Sequence, residues 1–207
     1  PAGLFTSGWG WAPVQEGAYA IFNETGDRRK EASVNAWAEG EYSPGYQNTG
    51  LFLRKYAARV GYNDNKTGDA ALNYENNMRI YRLAETYLNA AELAFATGGQ
   101  GAAQPFLDAI RERAFGDNAH AIPATLNNIK LERRRELFGE GHRFWDLVRW
   151  GSDETGRSIE QTLSVNDPDH NLVRTYTADK RFLPIPKDEI DKTKGTEFEL
   201  QQNPGWE

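Results

Sequence analysis

One stretch of this chain leaves little choice about its conformation. From Asn76 to Ala96 the apolar residues Ile80, Leu83, Ala84, Tyr87, Ala91, Ala94 and Phe95 recur at intervals of three and four, the period of a helix that buries one face. Alanines crowd the same stretch and permit a close neighbour. Gly98 and Gly99 stop it, because glycine takes the left-handed backbone that closes a helix. Pro105 falls where a first helical turn tolerates a residue without an N–H, and Phe106, Ile110 and Ala114 continue a second stripe. Two helices joined by a short glycine turn predict an antiparallel hairpin of the tetratricopeptide type. A single clear copy gives no support for a repeat array. The fold class that follows is mainly α: one tetratricopeptide-like helical hairpin plus irregular, loop-rich segments with short strands.

The flanks read differently. Residues 1 to 74 are dense in glycine and turn chemistry, with short extended pieces expected at Ala18–Phe22 and Leu51–Tyr56. Such long irregular segments inside compact proteins are often functional. A third helix is expected from Thr125, as N-cap, to Phe138. A short fourth follows at His142–Trp150, ended by Gly151. Residues 152 to 207 are polar, turn-rich and Pro-punctuated. The reading is one domain over 1–207, with a loop-rich segment at 1–74, a helical core at 75–151 and a surface-wrapping tail at 152–207. Its abrupt opening at Pro1 is expected to mark a piece of a longer chain.

Composition removes several functions. The chain has no cysteine, so thiol catalysis, thiolate metal sites and a disulfide framework are excluded. A net charge of -6 is the wrong sign for a nucleic-acid binder. His120, His142 and His170 are too scattered for a metal set, and no HExxH occurs. Asn63–Gly68 begins like a calcium loop, but the glutamate that loop needs would fall at Tyr74. Gly98–Gly101 lacks the Lys-Ser/Thr of a phosphate loop. No metal, no cofactor and no catalytic residue is expected.

The densest cluster of chemistry is Glu132-Arg133-Arg134-Arg135-Glu136, followed by His142-Arg143-Phe144-Trp145-Asp146. Glu132 and Glu136 share a helix face at i,i+4, as a pair of catalytic acids would. The arginines beside them hold both carboxylates ionised, whereas a general acid needs a raised pKa. Structural ion pairs are the better reading. Trp145 and Trp150, among Phe144, Leu147 and Val148, are expected in the core.

Five aromatic residues have no such apolar company. Trp9, Trp11, Trp37, Tyr42 and Tyr46 sit among Gly, Ser, Asn, Gln and Glu. Sugar rings present C–H faces that stack on aromatic faces, and their hydroxyls need amide or carboxylate partners. The candidate ligand contacts are these five rings with Asn35, Glu39, Gln47 and Asn48. The bland alternative is that the rings fill small local cores under long loops. A helical glycoside hydrolase is the enzymatic alternative, since Glu39 and Glu41 lie beside Trp37 and Tyr42. A protein-docking or peptide-binding scaffold is another.

An ordered series of short segments resembles the SusD/RagB family of outer-membrane nutrient-binding lipoproteins. It comprises Asp27-Arg28-Arg29, Thr49-Gly50-Leu51-Phe52-Leu53-Arg54-Lys55-Tyr56, Tyr81 through Glu92, and Ile110-Arg111-Glu112-Arg113-Ala114. Glu132 through Leu137 with Gly141 through Gly151 is its strongest part. Phe182-Leu183-Pro184-Ile185-Pro186 and Gln202-Asn203-Pro204-Gly205-Trp206 close it. The resemblance implies a helical, non-enzymatic protein that captures glycan, or peptide in some members, and passes it to a SusC-like TonB-dependent transporter. It implies attachment to the outer membrane through an N-terminal lipid anchor on the parent chain, and an N-terminal part beyond Pro1. It marks the arginine-rich cluster as structural. It transfers no ligand residue, since binding residues of the family follow no motif.

Overall fold

The computed structural model describes residues 12–43, 45, 47–60, 77 and 79–206. They form two compact units, one ending at Phe144 and the other beginning at Trp145. The elements in order are helices α1 (Glu16–Tyr19) and α2 (Arg29–Ser33), strands β1 (Val34–Ala36) and β2 (Leu51–Leu53), and helices α3 (Leu83–Phe115), α4 (Leu126–Glu136), α5 (Arg143–Trp150) and α6 (Ile159–Leu163). Strands β3 (Val165–Asp167) and β4 (Leu172–Arg174) follow, then a 3-10 turn (Ala178–Arg181) and α7 (Lys187–Thr193). The protein is mainly helical, and among the described residues no helix is long and apolar enough to cross a membrane.

The first unit is organised by α3, which is two helical arms broken at Gly99. That glycine has φ 74° and ψ -169°, a combination open almost only to residues without a Cβ. Residues equidistant from the break meet. Ala84 and Leu88 pack with Ile110, the rings of Tyr87 and Phe106 meet edge to face at 6.2 Å, and Ala91 joins Ala103 and Leu107. That pairing is the antiparallel hairpin. Helix α4 then lies along it, placing Ile129 in the cluster of Ala91, Ala103 and Leu107. Thr125 caps α4, its hydroxyl accepting from Asn128 N at 3.2 Å. The fully buried Leu88, Leu107 and Ile129 each stabilise by about 1.5–3 kcal/mol.

The hairpin starts later than its periodicity suggests. Ile80 and Leu83 are exposed, because Arg82 still has extended φ/ψ and the helix begins after it. The buried stripe runs from Ala84 rather than Ile80. A second difference concerns Ala18–Phe22, expected to be extended. Glu16–Tyr19 is a helical turn instead, with the amides of Ala18 and Tyr19 both donating to the Gln15 carbonyl. A short apolar run does not by itself separate strand from helix.

Strands β1 and β2 are antiparallel with Asn35 opposite Phe52. On the other side of β2, Val14 N donates to Leu51 O at 2.8 Å and Pro13 pairs with Phe52. Leu51 and Leu53 face the cluster of Val14 and Val34. Phe52 faces the opposite way, as strand alternation requires. Gly139 has φ 73°, and a Cβ there would sit 2.3 Å from Leu53 Cδ1, so the turn after α4 needs glycine to close on β2.

The second unit is smaller and held by side-chain clips. Ser158 and Gln161 form a reciprocal capping box on α6. Asp153 accepts from the amides of Thr155 and Arg157 at 2.8 and 3.0 Å and from the hydroxyls of Thr155 and Thr162. The chain end is tied to residues 182–185. The Gln202 side chain bonds both N and O of Ile185, Asn203 Nδ2 donates to Leu183 O, and Trp206 Nε1 to Phe182 O. Trp145, expected in the core, is 55 % exposed, while Leu147 is fully buried. A helix this short can bury only one stripe, and here Leu147 with Asp146 occupies it.

Candidate functional site

Two sets of residues could carry function in the first unit, and the structure assigns them different kinds of work. The charged set surrounds α4. Glu132 accepts from Arg29 Nη1 at 2.6 Å and Arg111 Nη1 at 2.9 Å, with Arg135 Nη1 at 3.7 Å. One helical turn on, Glu136 receives Arg82 Nη1 at 2.5 Å, Arg113 Nη2 at 2.5 Å and Arg29 Nη1 at 3.3 Å. Glu140 takes Arg82 Nη2 at 2.7 Å and Lys55 Nζ at 2.5 Å. Glu24 bridges Arg111 and Arg135, each at 2.5 Å, and Asp27 pairs with Arg29 through both oxygens. Arg133 donates to Asn89 Oδ1 at 2.8 Å and lies 3.5 Å from Glu85. The i,i+4 pair read from sequence is thus the anchor of a buried ion network.

This network is unsuited to general-acid chemistry. Burial pushes the Glu136 carboxyl up, but the hydrogen bond from Arg82 and the charges of Arg113, Arg82 and Arg29 bring it below its ordinary value. The same competition, burial against Arg82 and Lys55, leaves Glu140 lowered. Glu24 is lowered by Arg111 and Arg135 against burial, and Asp27 by Arg29 against burial. Lys55 goes the other way for a base: burial lowers it more than Glu140 raises it. Carboxylates held ionised by arginines cannot serve as general acids near neutral pH. Among the described residues no group of three His, Asp or Glu side chains could hold a metal.

The aromatic set is at the β1–β2 corner. Trp37 follows β1 and its N donates to Gly50 O at 2.9 Å. Tyr42 ends the next turn. Both rings meet Phe52, Trp37 at 5.1 Å between centroids with planes 40° apart and Tyr42 at 5.4 Å edge to face. All three are half-buried. Gly50 makes the corner possible. It has φ 72°, and a Cβ there would lie 2.9 Å from Trp37 O and 3.4 Å from the Tyr42 hydroxyl.

The expected contacts are therefore brought together in part. Trp37 and Tyr42 share one ring as neighbour. Trp9, Trp11 and Tyr46 lie outside the described residues, as does the Asn63–Gly68 segment. Asn35 is buried in β1 at 8 % exposure, opposite Phe52 in the strand pair. Glu39 is exposed, and Gln47 and Asn48 are half-buried. Asn48 Oδ1 accepts from Gly50 N at 2.9 Å. Phe52 escaped the sequence reading because Leu51 and Leu53 flank it and make the run look like core. Strand alternation was the signal that could have separated it. The apolar partner that residues 31–50 lack comes from just beyond them.

Fold and site define a mainly helical domain with a buried ion network around α4 and a half-buried aromatic corner at β1–β2. The chain belongs to the SusD family, whose model matches residues 5–206. It is similar to surface glycan-binding protein A from Bacteroides fluxus, with 51 % identity and a TM-score of 0.86, over 100 % of this chain and 43 % of that one. It is also similar to surface glycan-binding protein A from Bacteroides thetaiotaomicron in complex with laminarihexaose, with 37 % identity and a TM-score of 0.81, over 98 % of this chain and 44 % of that one. A laminarin-binding SusD-like protein matches at 37 % identity and a TM-score of 0.75, over 99 % of this chain and 40 % of that one. The chain thus spans less than half the length of the solved relatives it matches.

Proposed function

We propose that this protein captures oligosaccharide at the cell surface and passes it, uncleaved, to a SusC-like TonB-dependent transporter. The carrying observation is the likeness, at a TM-score of 0.81, to a relative in complex with laminarihexaose. A laminarin-binding relative at 37 % identity points the same way. A laminarin-type glucan is accordingly the ligand to test first. Trp37, Tyr42 and Phe52 offer ring faces for stacking, and Glu39 and Gln47 offer polar partners. Trp9, Trp11 and Tyr46 stay in the candidate set. Family membership supports attachment to the outer membrane through a lipid anchor on the longer protein. The cation-saturated carboxylates around α4 support a role without catalysis.

Each polar contact with a sugar nets about 0.5–1.5 kcal/mol, so affinity should be modest. Laminarin in a native gel is expected to retard the protein, and Trp37→Ala to abolish the retardation while the melting curve stays close to wild type. Equal mobility with and without laminarin, and with every other glycan of a panel, would sink the proposal. Incubation with laminarin should release no reducing ends. Turnover that disappears in Glu39→Gln or Glu41→Gln would establish a hydrolase instead.

A further inference from the structure

The polar residues of the aromatic corner are engaged with its own backbone. Asn48 Oδ1 accepts from Gly50 N at 2.9 Å, a side-chain-to-backbone turn two residues long. Gly50 O in turn accepts from Trp37 N at 2.9 Å. Across the corner, Glu41 Oε2 accepts from Ala38 N at 2.7 Å, while Glu41 N donates to Ala38 O at 3.0 Å. That reciprocal pair closes the turn between Trp37 and Tyr42. Each ring is thus mounted on backbone whose geometry a neighbouring side chain sets. We infer that Asn48 and Glu41 are positioning residues, which hold Trp37 and Tyr42 against Phe52 and act on a glucan through those rings. The inference rests on the aromatic corner being the glycan contact.

The physical case is one of preorganisation. A stacking surface built on a loop binds weakly if its rings must be ordered at each encounter. Here the acceptor oxygen is what the turn uses, not the amide N–H2 of Asn48 or the charge of Glu41. Asp at 48 and Gln at 41 keep an acceptor of similar reach. Ala at either position removes it and frees the N–H of Gly50 or Ala38. A ligand-contacting Asn48 would behave differently, because its amide donor would be lost in Asn48→Asp.

Calorimetric titration with laminarihexaose tests this, alongside 19F NMR of protein labelled with 5-fluorotryptophan. The Trp37 signal is assigned by its loss in Trp37→Phe. Asn48→Ala and Glu41→Ala are expected to weaken binding about threefold to tenfold, the scale of one lost hydrogen bond, and to shift or broaden the Trp37 signal. Asn48→Asp and Glu41→Gln are expected to restore both readouts to within about twofold of wild type. An Asn48→Asp protein as weak as Asn48→Ala, with an unmoved Trp37 signal, would overturn the inference in favour of direct contact. So would wild-type affinity in both alanine variants while Trp37→Ala fails to bind. Wild-type affinity in Trp37→Ala would remove the underlying reading of the site, and this inference with it.

Discussion

The charge network around α4 and the aromatic corner at β1–β2 lie in the same compact unit and are built on opposite terms. In the network Glu24, Glu132, Glu136 and Glu140 each meet more than one cation, and Glu132 and Glu136 are almost fully enclosed. In the corner three rings stay half-buried, Phe52 on β2 and Trp37 and Tyr42 beside short turns closed by a few hydrogen bonds. The first arrangement spends its chemical capacity internally: Glu24, Asp27, Glu136 and Glu140 are held ionised by the cations around them and have no proton to give near neutral pH. The second leaves ring faces without a full set of partners. The side chains of the network are tied up in the fold, whereas the rings of the corner are the contacts proposed for a ligand.

The comparison can be broken from the network side first. Glu132→Ala takes the shared carboxylate from Arg29, Arg111 and Arg135, which keep only Asp27, Glu136 and Glu24 between them, and removing one partner of a buried pair costs up to about 3–5 kcal/mol. Urea unfolding followed by helical circular dichroism measures it. A loss below about 1 kcal/mol would mean that the network is not what holds the unit together.

Acid should act on the same residues. Glu24, Asp27, Glu136 and Glu140 have folded-state values below their ordinary ones. Their contribution is therefore complete above the unfolded carboxylate value of about 4 and is lost as pH falls through the depressed folded values. The unfolding free energy is expected to drop as pH is lowered from about 5 towards 3, more steeply in wild type than in Glu136→Gln. Parallel curves would place the acid sensitivity elsewhere.

On the corner side, Gly50→Ala puts a Cβ into left-handed backbone against Trp37 O. Strain of this kind costs about 1–3 kcal/mol, and relief of the contact moves Trp37 or Tyr42. Glycan affinity is expected to fall by more than thermal stability does. A variant that melts early yet binds normally would separate the corner from the ligand. Trp37→Ala sharpens the contrast further. It removes one ring contact with Phe52, worth about 0.5–1.5 kcal/mol, so its effect on folding should be small while binding is lost. The smallest change should come from Arg113→Ala. Its side chain is 58 % exposed, so less than about 1 kcal/mol is expected in the same urea experiment, and no change in glycan retardation.

Local regularity decided much of this protein before any long-range contact was considered. The 3.6-residue period around Tyr87 and Phe106, the glycines at 98 and 99 and the Thr125 cap are signals carried within a few residues, and the hairpin and α4 follow from them. The charge pattern of Glu132 through Glu136 also carried its own meaning, because arginines adjacent in sequence already argue against a raised carboxyl pKa. What the sequence could not contain is which distant side chains complete these patterns. Glu132 meets Arg29 and Arg111, 103 and 21 residues away, and no local period encodes that. Trp37 and Tyr42 were legible as rings without neighbours. Their partner Phe52 was not, because a three-residue strand inside an apolar run shows its outward side chain only once the opposite face is filled. The burial of Asn35 was hidden for the same reason: burial on a strand is set by the strand paired with it, and that pairing exists only in the folded chain.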